Sequence, residues 1–499
     1  MKKRFFCPKF FMLCFFSIAG IFLCPAQEKE DAVMELTLQQ AIDIARRQSP
    51  DVMVARHSFR SSYWNYCYYK ANYLPSLTFN STPNFNHSIN AITLPDGTAQ
   101  YIQQNQLTTD ATFFIQQNIA FTGGSLFAQT SLHRLDELAE NTYSYKSTPL
   151  LIGYQQSLFG YNQLKWDKKI EPLRFESAKK SYVEMLELVS VNVTNKFFDL
   201  AKAQTNLEIA RTNYAHADTL YAFAQGRYNI GTITENEMLQ LEINKLNEES
   251  SRLSAQLEVD DSMEALRSYL GIKESSSIVV VIDNFIPLES VHSQTALEYA
   301  LQNSPDILNF RRMKLESESS VANAKASNGL KADLYMQFGL AQVGNEIATA
   351  YKNPLNQQYV EVSIRFPILD WGRGKGQVQV AKSRRDMVYT QVDQERNNFE
   401  MNIIKLVKQF NLQSNRLNVA IKADNTAERR NEVARKLYLL GKSTILDMNA
   451  SITEKDVARR NHINTLFNYW SMYYTLRSIT LFDFEKNIPL TEDYNSLIK

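Results

Sequence analysis

Glycine and proline are scarce. There are 16 glycines and 13 prolines in 499 residues, which disfavours a chain of short strands and tight turns and suits long uninterrupted helices. An excess of one charge is also missing. The 54 Lys and Arg against 53 Asp and Glu leave a formal charge of +1, giving no support to a general nucleic-acid binder with a basic surface. Of the 4 cysteines, Cys7, Cys14 and Cys24 lie at the extreme N-terminus and Cys67 stands alone after them. No intramolecular disulfide can form once a leader is removed. Beyond residue 26 no apolar run approaches the length of a membrane-spanning helix, so any membrane insertion must use a β-barrel. The six histidines (57, 87, 133, 216, 292 and 462) lack metal-ligand spacing, and no Gly-x-Ser-x-Gly nucleophile motif occurs. Neither an enzyme nor a cofactor is expected. What the chain has in quantity is aromatic residues, 25 Tyr and 28 Phe, within a hydrophobic content of 44% that excludes a mostly disordered chain.

The first 26 residues read as an export signal. Lys2, Lys3, Arg4 and Lys9 precede the apolar stretch Phe10–Leu23, and Cys24-Pro25-Ala26 supplies small residues for cleavage after Ala26. Lipidation at Cys24 is the alternative, and the large Leu23 before it argues against that.

Self-comparison shows two unequal repeats. Ala41, Ala45 and Ser49-Pro50-Asp51 recur as Ala296, Ala300 and Ser304-Pro305-Asp306. Each copy predicts a short helix stopped at a proline that opens a second helix. Further on, Tyr228-x-x-Gly231 recurs as Tyr438-x-x-Gly441, each after a long helical pattern and each predicting a tight helix hairpin. The first copy holds about 45 more residues than the second, placed at roughly 123–166 between two strand-exit patterns, Phe121-Thr122-Gly123-Gly124 and Phe159-Gly160-Tyr161-Asn162. This insertion is expected to be a hairpin with an even number of crossings, leaning to association with the barrel.

Apolar and small residues at steps of three and four from Tyr182 to Ala224 and from Phe399 to Leu437 predict helices of about 60 residues, roughly 90 Å long. Return helices are expected at about 235–270 and 446–481. Strands of about ten residues are read around Leu77–Phe85, Ala111–Phe121, Leu334–Leu340 and Val360–Phe366, where apolar and polar residues alternate. A soluble sandwich would show the same alternation. The aromatic flank of Tyr63, Trp64, Tyr66, Tyr68, Tyr69 and Tyr73, with Tyr161 and Trp371, favours a membrane barrel. Segments 88–106 and 344–357 are read as external loops, and Ile278–Ile282 as a small strand in the linker. Gly372-Arg373-Gly374-Lys375-Gly376 looks like a dinucleotide turn but lacks its full spacing and a surrounding βαβ unit. It is read as a strand-to-helix junction beside lipid headgroups.

The export signal, the duplicated helix–strand–helix plan, the twin Tyr-x-x-Gly hairpins and the exit Phe366-Pro367-Ile368-Leu369-Asp370-Trp371-Gly372 together resemble the TolC family of outer-membrane efflux proteins. The resemblance implies a mixed α and β membrane protein: a trimeric outer-membrane β-barrel continued by a periplasmic α-helical barrel and built from two internal repeats, here 27–271 and 293–486, with a linker at 272–292 and a tail at 487–499. It implies a passive exit duct in a Gram-negative outer membrane, partnered by a periplasmic adaptor and an inner-membrane pump or ABC transporter. Asp447, Tyr438 and Glu237 fall where the family has its periplasmic gate. Tyr228, Gly231 and Gly441 mark hairpins that face the adaptor. Gly123, Gly124, Gly160, Trp371 and Gly372 are assigned to barrel–helix junctions. Departures are Ala450 and Ser443, which replace an acid and a base of the family's gate, and the insertion, which leaves 12 or 18 strands open for a trimer. The competing reading is a non-conducting structural or adhesive outer-membrane protein with periplasmic coiled coils.

Overall fold

The computed structural model describes residues 34–273, 277–282, 290–440, 442–443 and 445–498. The expected export signal and Gly441 lie outside the described residues, as does the side chain of Tyr438.

The chain runs β1 (Met34–Thr37), α1 (Leu38–Gln48), α2 (Pro50–Ala71), then the strands β2 (Ser76–Thr93), β3 (Ala99–Ile119), β4 (Gly124–Glu137) and β5 (Thr142–Ser157), then α3 (Gln163–Asn229) and α4 (Glu235–Leu270). The second half repeats the plan: β6 (Ile278–Val281), α5 (Ser293–Asn303), α6 (Pro305–Asn328), β7 (Lys331–Gly344), a single turn α7 (Ile347–Ala350), β8 (Leu355–Arg365), α8 (Arg373–Leu439) and α9 (Ile445–Thr480). A tail of β9 (Phe482–Asp483), β10 (Ile488–Pro489) and α10 (Tyr494–Ile498) follows. The duplication is close: 11 and 11 residues in α1 and α5, 67 and 67 in α3 and α8, 36 and 36 in α4 and α9.

Local chemistry sets these boundaries in duplicate. Ser49 and Ser304 cap α2 and α6, each hydroxyl accepting a backbone N–H of the first turn, at 3.3 Å from Val52 and 3.2 Å from Asp306. Pro50 and Pro305 occupy the first turn, where a missing N–H costs nothing. At the far end, α3 stops at Gly231, whose φ of +74° suits glycine. The Thr232 N–H closes back on the Arg227 carbonyl at 2.9 Å, and Lys442 closes on Leu437 at the same distance.

Near the sheet, the helices lie side by side in the order α2–α3–α6–α8. Near the turns, the order is α4–α3–α9–α8. Each long helix therefore serves both halves of the layer. The seam between them buries Phe197, Phe198, Leu200, Leu266, Ile403, Phe410, Leu466 and Tyr469. Around the middle, β1 pairs in parallel with β6, and α1 and α5 wrap the long helices.

The six long strands form one antiparallel sheet in the order β2-β3-β4-β5-β7-β8. Residues 124–157 are a hairpin within this sheet, between β3 and β7. Three expectations need correcting. β8, at 11 residues, is close to the expected ten, but β7, β2 and β3 run to 14, 18 and 21 residues. Segment 88–106 is mostly strand, because β2 and β3 stay paired out to Thr93↔Ala99. And Gly123-Gly124 turn from β3 directly into β4, so they mark a strand–strand turn and not a barrel–helix junction.

One sheet face is apolar and exposed: Leu77, Phe79, Phe113, Ile115, Ile152, Phe338, Val360, Val362 and Ile364. The pleat sends their neighbours to the other face, which carries Asn80, Thr112, Gln129, Ser131, His133, Gln337, Glu361 and Ser363. On that polar face Phe114, Phe127, Tyr335 and Tyr359 form a string of rings with centroids 5.7, 5.8 and 6.0 Å apart. Phe127 lies over Gly153, where an added Cβ would sit 2.2 Å from its Cζ, so that position has room for glycine only.

Candidate functional site

Three places carry the residues of functional interest. The first is the turn end of the long helices. Tyr228 and Gly231 shape the α3–α4 turn, with the Gly231 N–H bonded to the Tyr228 carbonyl at 2.8 Å. Glu237 is engaged locally. Its carboxylate accepts the Thr234 N–H at 2.9 Å and the Thr234 hydroxyl at 3.1 Å, and the Thr234 hydroxyl in turn accepts the Glu237 N–H at 3.3 Å. These bonds hold its pKa below the usual carboxylate range. Glu237 thus completes a capping box at the start of α4. In the second repeat Asp447 lies exposed in the first turn of α9, 3.4 Å from the Ser443 hydroxyl.

The second place is the lower rim of the sheet, where strands meet helices. Gly160 sits between β5 and α3, and Trp371-Gly372 between β8 and α8. Trp371 and Gly372 take left-handed backbone angles, φ +54° and +83°. Trp371 is 89% exposed, and Phe121, Leu158, Phe159, Phe366, Ile368 and Leu369 are exposed beside this rim. Asp370 accepts the N–H groups of Gly372 at 3.0 Å and Gly374 at 2.8 Å, which depress its pKa. The Gly-x-Gly-x-Gly run is therefore a carboxylate-capped helix start. At the upper end of the apolar face, the Arg134 guanidinium lies over Tyr143 and Tyr145 at 5.6 and 5.7 Å. The apolar band is flanked by aromatics at both ends, as on a barrel wall facing lipid.

The third place, unmarked by any motif, is a buried ion cluster at mid-height. Glu187 of α3 has a side chain 2% exposed and is held by Arg46 of α1 and Arg477 of α9. Arg477 donates to both Glu187 oxygens at 3.0 and 3.2 Å, and to Asp483 of β9 at 2.9 Å. Asp483 also accepts the Tyr473 hydroxyl at 3.2 Å and the N–H groups of Glu485 and Lys486. The cluster ties both repeats and the C-terminal tail at one point. Close by, burial and then the Asp306 charge push Glu184 of α3 up to about 7. A carboxyl with a raised folded pKa favours the fold while protonated, and that advantage fades as pH rises from about 4.5 to about 7. Glu184→Gln is therefore expected to raise stability at pH 8 by about 1 kcal/mol after allowing for partial exposure, seen as a higher melting temperature, and to change little at pH 4.5. Melting curves at the two pH values test this.

Among the described residues no group of three or more His, Cys, Asp or Glu could hold a metal, and no helix is long and apolar enough to cross a membrane.

Residues 121–272, covering β4, β5, α3 and α4, match the outer membrane efflux protein family. The chain carries an outer membrane efflux protein domain. This places it in the outer membrane. The fold is similar to solved outer-membrane channels. The CmeC channel of Campylobacter jejuni superposes with a TM-score of 0.64 at 15% identity, over 92% of this chain and 88% of that one. VceC of Vibrio cholerae gives 0.61 at 15% over 89% and 95%, and the MtrE channel of Neisseria gonorrhoeae 0.60 at 13% over 91% and 90%. No curated protein sequence matches.

Proposed function

We infer that the chain is the outer-membrane duct of a tripartite efflux or type I secretion system, in which three copies close one β-barrel above one helical tunnel. The observation that carries this reading is the pair of open edges running the length of the molecule. A sheet with open edges cannot rest in lipid, and six strands are too few to close on themselves, since single-chain barrels begin at eight. The β2 and β8 edges must therefore be paired by other copies. The edge continues below: α4 exposes Leu239, Ile243, Leu246, Leu253 and Leu257 at steps of a heptad stripe, opposite its buried Ala255, Val259 and Leu266. On the other flank α8 exposes Leu412, Val419 and Val433, opposite its buried Phe410 and Leu417. Matching the two stripes between copies joins the same flanks that β2 and β8 join above. Three is the number the TolC resemblance implies, and three copies of a six-stranded sheet give eighteen strands.

In this assembly the chain performs no chemistry. Energy comes from the inner-membrane transporter, reached through a periplasmic adaptor at the Tyr228–Gly231 and Gly441 hairpins. Asp447 from each copy lines the narrow end, with Tyr438 as a candidate latch. Three carboxylates around one aperture favour cations and repel each other. Glu237, engaged as a cap, contributes chiefly to the shape of the outer hairpin. Asp447→Asn is expected to lower cation preference severalfold in planar bilayers without changing the melting temperature. Unchanged selectivity and conductance would remove Asp447 from the gate.

A further inference from the structure

The β2–β3 hairpin is longer than the rest of the sheet. β4 ends its pairing with β3 at Gln106↔Glu137, and the β5–β7 pairing ends at Tyr145↔Gly344. Beyond that level β2 and β3 continue alone through seven further pairs, from His87↔Asn105 to Thr93↔Ala99. At a strand rise of 3.4 Å per residue, the free ribbon is about 24 Å long. It is an ordered element. Its tip, Leu94-Pro95-Asp96-Gly97-Thr98, is closed by the Leu94 N–H on the Thr98 carbonyl at 2.8 Å and the Gly97 N–H on the Leu94 carbonyl at 2.9 Å. The Asp96 carboxylate accepts the Thr98 N–H and hydroxyl at 3.0 and 2.7 Å.

Apart from the Asn105 carbonyl, which accepts the Leu138 N–H at 2.8 Å, both edges of this ribbon are unpaired among the described residues, and neither has the usual protection. Free strand edges are normally blunted by charge, by proline or by a bulge. Between Ser76 and Thr109 the only formally charged residue is Asp96, at the tip, and the one in-strand proline, Pro83, lies below the free part. The free part instead carries Ser88, Asn90, Gln100, Gln103, Gln104 and Asn105, with Ile89 and Tyr101 exposed. Uncharged amide-rich edges pair readily with one another. Three such ribbons on a common axis do not repel.

The reach also fits. A barrel of eighteen strands tilted by about 40° has a backbone radius of roughly 18 Å, less than the ribbon's length of about 24 Å. An unplugged barrel of that size leaves an aqueous pore. We propose that the three β2–β3 ribbons fold inward over the extracellular mouth and pair with one another, forming a cap that narrows the wide barrel from outside. The occupant of each free edge is a second copy of the same ribbon. This inference rests on the trimeric channel reading.

Two variants test it. In the first, Asn90–Ile102 is replaced by Asn-Gly, which joins Ile89 to Gln103 through a two-residue hairpin turn. The expected result is an assembled channel whose unitary conductance in planar bilayers rises about twofold or more, because the series constriction is gone. In the second, Thr98→Cys is made with Cys67→Ser, and outer membranes are treated with a short bismaleimide. Covalent dimers on a denaturing gel are expected, the largest species that one thiol per chain and a two-armed reagent can form. Absence of cross-linked species would overturn the cap, as would conductance that stays unchanged on shortening. A full-length protein with no conductance at all would instead sink the channel reading, and the cap with it.

Discussion

Replacing Glu187 by alanine is expected to cost 3–5 kcal/mol, the range for leaving a buried cation without its partner. Arg477 has a side chain only 12% exposed and keeps a single carboxylate partner, Asp483, after the change. Arg46 loses its ion pair as well, keeping the Ser190 hydroxyl at 3.1 Å. The effect spreads because α1, α3, α9 and the tail meet there and nowhere else in this combination. The expected readout is a fall of many degrees in apparent melting temperature and loss of assembled protein from the outer membrane. A triple variant, Glu187→Leu with Arg477→Met and Asp483→Asn, is expected to recover much of the loss, because it leaves neither Glu187 nor Asp483 as a buried charge without its cation. A fall equivalent to less than 1 kcal/mol for Glu187→Ala would show that the cluster is dispensable.

The second large effect is expected on α4. Leu246→Glu with Leu253→Glu places two charges per copy in the exposed apolar stripe that we propose meets α8 of the next copy. Both leucines are more than half exposed in the single chain, at 56% and 57%, so the fold of one chain should tolerate the change. Each leucine that is fully buried on assembly contributes about 1.5–3 kcal/mol, and the buried charges add a penalty of their own. The expected outcome is monomeric protein with its helical circular dichroism retained. The same substitutions on a face that stays exposed would leave the oligomer unchanged. Native gels with light scattering separate the two results.

The long helices were legible because a three-and-four periodicity sustained over sixty residues admits little else, and the serine–proline and Tyr-x-x-Gly boundaries occur twice. The strands were only partly legible. β2 and β3 are rich in Asn, Gln, Thr and Ser, so beyond Phe85 the alternation that signals a strand fades, and a paired ribbon reads as a polar loop. The Gly123-Gly124 turn has the composition of a strand exit, and only the pairing of β3 with β4 shows that the chain doubles back into the sheet. The Glu187 cluster could not be read at all. Its partners lie 141 and 290 positions away in the sequence, and no local motif announces them. Glu237 is the opposite case, since Thr234-x-x-Glu237 is a capping-box signature in plain view. Asp370 ahead of Gly372 and Gly374 is likewise a local signal for a capped helix start.

The six-stranded sheet also accounts for how the two halves join. A tilted strand takes up roughly 6 Å of barrel perimeter and a packed helix roughly 8–10 Å. Six strands then span about 37 Å and the four helices beneath them about 32–40 Å, whereas four strands would span about 25 Å. The β4–β5 hairpin lets an untapered helical layer continue into the sheet. A steeper tilt or a tapered junction would be needed without it.

The most direct test of the account is an electron-microscopy map of the detergent-extracted protein at a resolution that separates strands. The account predicts a three-fold hollow tube, with helices roughly 100 Å long beneath a barrel of eighteen strands in which β8 of one copy pairs with β2 of the next. A solid bundle, a sheet left open at β2 and β8, or a barrel with the 124–157 hairpin outside it would contradict the account.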